Sequence, residues 1–340
     1  MTQSTQSGID EPSEALLRDL SLLGAVCRRA ADLELRATCD GKAVTLDAAV
    51  AQTRQLIADA KCPAIVGMNT LTIESTRQAV ALARSIDAAL LPWPLPSDPV
   101  TARQPVTQTA TLGHVLSSQM ILWVGCDDEV RSHPLAQRIA ARQPLEAQVA
   151  ADLITIQKLR DSHRANPDAG PIGQFKRVTA ILPAGCDPRI ASQWHKLAAD
   201  LQRQVRLCVF HLPHPRAGNI KGVCEAITWL TGVSPAAAGV RFVAGQTQAC
   251  SDAATLLKNG AVDLVIEMHD GELDWRDLSL SRISIGPAAQ PDSVVAFITP
   301  GLTPGVAAQV MRCDGLVLWL CDDPATAPRD PVVELLAALR

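Results

Sequence analysis

Apolar positions along this chain fall into short continuous runs, separated by stretches where they recur every three or four residues. The first pattern suits strands buried on both faces, the second amphipathic helices. Helical spacing covers Asp47–Ala60 (with Asp47 as its cap), Glu74–Ser85, Pro134 to about Arg142, Asp187–Gln204 and Ile220–Leu230. Strand-length runs cover Ala64–Met68, Ala88–Leu91, Met120–Gly125, Val178–Leu182, Val205–Phe210, Asp263–Met268, Arg282–Ile285, Val294–Ile298 and Leu316–Cys321. A further strand is expected near Asp152–Ile156, followed by a polar loop at Leu159–Gly173. This alternation predicts an α/β fold of doubly wound parallel sheets.

Breaks in the pattern suggest how the chain is divided. Residues 1–10 read as disordered, and Leu16, Leu20, Leu23 and Cys27 give the next stretch helical spacing, as an arm on the body or on a partner. The turn Asp40-Gly41 separates Leu33–Cys39 from Ala43–Leu46, and Asn259-Gly260 ends a short helix at Asp252–Lys258. The proline-rich stretch Pro92–Pro105 excludes regular structure and marks a crossing from one domain to another.

Composition narrows the function classes. The 340 residues are 47% hydrophobic with a net charge of −4, enough chain for two domains. The balanced charge gives no argument for nucleic acid or a membrane surface. No apolar run approaches the roughly 20 residues of a bilayer span, and the polar, acidic start is unlike a secretory signal. The expectation is a cytoplasmic protein. Ten cysteines are scattered without a CxxC pair, several inside apolar runs, so most read as small buried hydrophobes.

Ligands of parallel sheets collect at the carboxyl ends of strands, which directs attention to three loops. Cys126–His133 follows Met120–Gly125 and carries Asp127, Asp128, Arg131 and His133. It reads as an acid-base or metal group, or as a helix start with Ser132 as cap, and the second reading is favoured. Arg216–Gly222 (RAGNIKG) sets Gly218, Asn219 and Gly222 before a helix, either to hold an anion or only to shape a turn. Glu267–Glu272 (EMHDGE) places Asp270 after a strand, in a crevice or as a cap in a solvated turn. Cys186 stands at a helix start without an identified base. GxGxxG, the P-loop, GxSxG and HExxH are all missing.

The segments CPAIVGMNTLTIESTRQAVALARSIDA, TLGHV, ILWVGCDDEVRSHP, GNIKGVCEAITWLTG, LLKNGAVDLVIEMHDGE and VVAFITPGLTPGVAAQVMRCDGLVLWL follow one another in an informative order. From Lys42 to Leu320 the chain resembles the pterin-binding subunit of formylmethanofuran dehydrogenase, in the molybdopterin/tungstopterin oxidoreductase superfamily. It is more similar still to that subunit's degenerate counterpart in the bacterial formyltransferase/hydrolase complex. The resemblance implies an N-terminal arm (1–42), a discontinuous α/β domain (43–91 plus 205–340) and an inserted α/β domain (92–204), like domains II and III of molybdopterin oxidoreductases. Gly125, Asp127, His133, Gly218, Asn219, Gly222 and Asp270 would then rim a cleft that holds the pterin in active relatives.

The departures from that family bear on chemistry. Active relatives carry CxxCxxxC for a [4Fe–4S] cluster, whereas the region before Lys42 has only Cys27 and Cys39. Relatives also place a Cys or selenocysteine metal ligand, then His-Gly-Pro, where this chain reads LPWPLPSDPV at Leu91–Val100. Tungsten and molybdenum need that soft ligand. The resemblance therefore implies a subunit that has lost the metal-pterin and the cluster, with no catalytic residue and no metal ligand of its own. Its partners would be a formyltransferase subunit, an amidohydrolase-like subunit and a β-helical subunit, with a methanofuran-like carrier as a candidate ligand. Two alternatives stand beside it: an active dehydrogenase subunit that binds pterin without the thiolate, and a standalone hydrolase or binding module using Asp127, His133 and Asp270.

Overall fold

The computed structural model describes residues 35–92, 110–126, 128–166, 172–183, 186–201, 205–212, 218–235, 239–250, 256, 259–268, 280–287, 292–299, 302–312 and 315–340. Residues 1–34 of the arm, residues 93–105 of the proline-rich crossing, the Asp252–Lys258 helix apart from residue 256, Asp127 and Asp270 lie outside the described residues.

The chain is α/β. It opens with the hairpin β1 (Arg36–Cys39) and β2 (Lys42–Val44), turned at Asp40 and Gly41. Then come α1 (Leu46–Asp59), β3 (Pro63–Gly67), α2 (Ile73–Ser85) and β4 (Ala89–Leu91). The middle holds α3 (Leu112–Leu116), β5 (Met120–Val124), α4 (Asp128–Arg131), α5 (Pro134–Ala140), β6 (Leu145–Val149) and α6 (Leu153–Ala165). It continues with β7 (Arg177–Leu182), α7 (Pro188–Leu201), β8 (Arg206–His211) and α8 (Ile220–Thr231). Last are β9 (Val240–Val243), β10 (Gln246–Ala249), β11 (Leu264–Met268), β12 (Ser281–Gly286), β13 (Val295–Ile298), β14 (Gln309–Met311), β15 (Val317–Trp319) and α9 (Pro331–Ala338).

The order of the strands carries the architecture. The larger sheet runs β10-β9-β4-β3-β11-β12-β13-β1-β2, parallel from β4 to β13 with antiparallel hairpins at both edges. The smaller sheet, β6-β5-β7-β8, is parallel throughout. Alternate residues of the central strands serve opposite faces. Ile65, Leu90, Ile266 and Ile283 join one core with Val80, Ile227 and Leu336 from α2, α8 and α9, while Val66, Leu91 and Val265 join another. In the smaller sheet Leu122, Val178 and Ala180 pack with Trp194 and Leu197 of α7, and Trp123, Ile181 and Phe210 with Leu135 and Ile139 of α5. Both faces are therefore covered, and the strands read as unbroken apolar runs.

Several boundaries differ from expectation. The cap of α1 is Thr45, whose hydroxyl accepts from Ala48 N at 3.3 Å; Asp47 sits in the first turn. Asp152–Ile156 is a helix start, because Asp152 Oδ1 accepts from Thr155 N at 2.6 Å and caps α6, which runs on through the expected loop to Ala165. The strand lies earlier, at Leu145–Val149. The segment Leu316–Cys321 supplies only β15, which pairs with β14 in a separate ribbon. Finally, β8 bonds to β7 along Arg206–His211, so the smaller sheet extends past residue 204, and the larger one begins with β1, before residue 43. No helix among the described residues is long and apolar enough to cross a membrane.

Candidate functional site at the carboxyl edges of the sheets

Each sheet has a point where successive crossovers leave in opposite directions, the usual place for a ligand. In the larger sheet it lies between β3 and β11. There Gly67 and Met68 both take positive φ (+90° and +61°), and Leu71 N–H donates to Met68 O at 3.0 Å, closing a tight turn. Thr70 Oγ1 donates to Met268 O at 3.4 Å across the gap.

The GNIKG segment sits against this turn. Asn219 N–H donates to Asn69 O at 2.8 Å, its Nδ2 to Leu71 O at 2.8 Å, and its Oδ1 accepts from Met311 N at 2.7 Å. One buried asparagine thus joins the β3 loop, the start of α8 and β14. The glycines follow from that closeness. A Cβ on Gly218, whose φ is +55°, would overlap Asn69 O, and one on Gly222 would overlap Asn219 Oδ1. Of the two readings of this motif, geometry accounts for all three residues.

In the smaller sheet the reversal lies between β5 and β7. Gly125, with φ +59°, donates its N–H to Val149 O at 2.8 Å, and a Cβ there would press on Ala151. Buried Cys126 points its thiol toward Val124 O at 3.6 Å and Ile181 O at 3.7 Å, bridging the two strands. His133, not Ser132, caps α5: its Nδ1 accepts from Leu135 N at 3.1 Å. That bond fixes the proton on Nε2, and burial pushes the pKa below the usual histidine value. His133 Nε2 is buried without a hydrogen-bond partner among the described residues. Gly125 and His133 are therefore bonded within loops of the smaller sheet, whereas Gly218, Asn219 and Gly222 belong to the larger one.

A histidine pair, His211 buried and His195 half-buried, was not anticipated from the sequence. His195 Nε2 on α7 and His211 Nε2 at the end of β8 are 3.0 Å apart, with ring centroids 5.3 Å apart and planes 17° from parallel. The centroid separation is the nitrogen distance plus one ring radius at each end, so the rings meet nearly in line. That is one N–H···N bond rather than two lone pairs converging on a third atom. Burial first, then the charges of His195 and Lys221, push His211 down to about 3. Lys221, itself buried, is held by Glu225 at 3.2 Å. The available signal was a histidine ending an otherwise apolar strand, VFH, facing a helix with a histidine at mid-length.

No family model matches the sequence, and no curated protein does. The fold does have a solved counterpart. It matches, with a TM-score of 0.68 and 20% identity, a chain in the X-ray crystal structure of the formyltransferase/hydrolase complex (FhcABCD) from Methylorubrum extorquens in complex with methylofuran. The match covers 89% of this chain and 97% of that one. At this identity the likeness is one of fold, and it spans nearly all of both chains.

The described thiols suit a structural role. None of the eight described cysteines is joined to another in a disulfide, and burial pushes Cys224 up to about 12, so it stays protonated. Among the described residues no group of three or more His, Cys, Asp or Glu is placed to hold a metal ion.

Proposed function

We propose that this chain is a non-redox, non-catalytic subunit of a formyltransferase/hydrolase complex in tetrahydromethanopterin- and methanofuran-linked one-carbon metabolism, acting in the cytoplasm. The observation that carries the reading is the fold shared over 97% of a chain from such a complex. The sequence supports the non-redox part: Leu91–Val100 has neither thiol nor imidazole where the pterin-binding subunits of active formylmethanofuran dehydrogenases hold their metal. Formyl transfer and hydrolysis then belong to the other subunits, and this chain supplies a scaffold whose sheet-edge loops face the carrier.

The test is purification of the tagged chain from its native host, with mass spectrometry of what accompanies it, metal analysis and formate-dependent dye reduction. A formyltransferase and an amidohydrolase-like protein in fixed ratio, without tungsten, molybdenum or dye reduction, is the expected result. Stoichiometric tungsten or molybdenum with dye reduction would establish an active dehydrogenase instead. A lone chain with hydrolase activity would overturn the complex reading.

A further inference from the structure

In the ribbon of β14 and β15, opposite residues alternate between pairs that exchange backbone bonds and pairs that do not. Arg312 N–H donates to Leu316 O and Leu320 N–H to Ala308 O, each at 2.9 Å, which sets the phase. Gln309 opposite Trp319 and Met311 opposite Val317 are therefore the non-bonded pairs, and their backbone groups point outward. On the β14 side these donors are occupied: Gln309 N–H donates to Glu74 Oε2 at 2.8 Å and Met311 N–H to Asn219 Oδ1 at 2.7 Å. On the β15 side, the outward groups of Val317 and Trp319 have no partner among the described residues.

That edge is also apolar. Val317 and Trp319 are each 40% exposed and Leu316 is 49% exposed, while Leu320 packs inward with Val310 and Ala308. An uncovered apolar edge is a pairing template, and natural chains blunt such edges with lysine, proline or a covering segment. Neither lysine nor proline lies between Leu316 and Cys321. The exposed charge that directly follows it is acidic, Asp322 and Asp323, whereas Arg312 is buried and Arg329 lies beyond Pro328, whose carbonyl accepts from Ala307 N on the β14 side. Both Asp322 and Asp323 are exposed.

We propose that the outer edge of β15 receives an extended segment of another protein as a third strand. Apolar side chains of that segment lie against Val317 and Trp319, and lysine or arginine lies beside Asp322 and Asp323. Main-chain bonds supply the affinity and the alternating side chains the selectivity, as in other strand additions. A second copy of this chain fits poorly, because it brings the same aspartates to the seam, like against like. These features are internal to the chain and do not depend on which complex it joins.

The test uses the full chain and a fluorescein-labelled heptapeptide alternating valine and threonine, with lysine at both ends. Two control peptides carry glutamate ends or N-methyl groups on alternate residues. Fluorescence anisotropy should show binding of the lysine peptide, at least tenfold weaker binding of the glutamate peptide and none of the methylated one. Val317→Pro removes the outward N–H and should weaken binding at least tenfold. If that variant melts early, Trp319→Lys, a change at an exposed position, carries the same expectation. No binding of the lysine peptide, equal binding of all three, or undiminished binding by Trp319→Lys would overturn the proposal. So would a concentration-dependent dimer in sedimentation that Trp319→Lys abolishes, which would assign the edge to a second copy.

Discussion

Acidification acts most directly on the His195–His211 pair. Burial holds His211 neutral in the folded chain, with its pKa pushed from 6.5 to about 3. Unfolding returns the ring to water, where it takes up a proton near pH 6.5. A histidine whose folded pKa is lowered contributes stability above its unfolded value and loses it as pH falls toward the folded one. The whole interval corresponds to about 5 kcal/mol at roughly 1.36 kcal/mol per pH unit, and by pH 5.0 the loss is about 2 kcal/mol. His195, also lowered by burial, acts in the same direction. Urea unfolding followed by tryptophan fluorescence at pH 7.5, 6.0 and 5.0 measures the effect. The comparison with His211→Leu cancels the acid response of the carboxylates. The wild-type chain should lose about 2 kcal/mol more than the variant between pH 7.5 and 5.0. Identical losses, or an NMR titration of His211 with a midpoint near 6.5, would refute the reasoning.

Three other expectations concern stability and are read from the same urea curves at pH 7.5. Asn219→Ala leaves Leu71 O and Met311 N–H without their partner and should cost about 2–4 kcal/mol. Gly218→Ala combines a φ of +55° with overlap on Asn69 O, and should cost about 2 kcal/mol or more. Asp330→Ala removes the carboxylate that Thr72 Oγ1, Ser75 Oγ and Val332 N–H share, and should cost about 2–3 kcal/mol. Faster amide exchange confined to α9 and the start of α2 would accompany it.

The parts of the fold that could be read from sequence were those buried on both faces. Ile65, Leu122 and Ile266 sit in strands paired along both edges, where the residues before and after them are also buried, and their runs are continuous. Edge strands lack that signature: β6 is LEAQV, exposed along most of its length, and among the described residues it pairs only with β5. The β-branched sequence Leu153–Ile156 then resembled the missing strand, although Asp152 three residues before Thr155 is a helix-cap spacing. Position along the chain revealed the site loops but not their roles. Asn219 bonds Leu71 and Met311, 148 and 92 residues away, and the histidine pair depends on how α7 packs on β8. Contacts of that range leave no local periodicity to read.

Asn219 also bears on what the Gly-Asn-x-x-Gly pattern can mean. A helix start that captures an anion needs outward donors near its first turn. Here the asparagine N–H and Nδ2 are directed to Asn69 O and Leu71 O, and its Oδ1 fixes Met311 N–H. The first residues of α8, Ile220, Lys221 and Gly222, are buried, and the lysine charge is paired with Glu225. Each glycine is required by a close approach to Asn69 or Asn219. The pattern would therefore be retained by packing alone, and its presence is no argument for a bound ligand. The same asparagine positions β14, whose bonding phase in turn directs the unpaired groups of Val317 and Trp319 outward. A motif at the switch point of the larger sheet thus helps present the edge proposed to receive another chain.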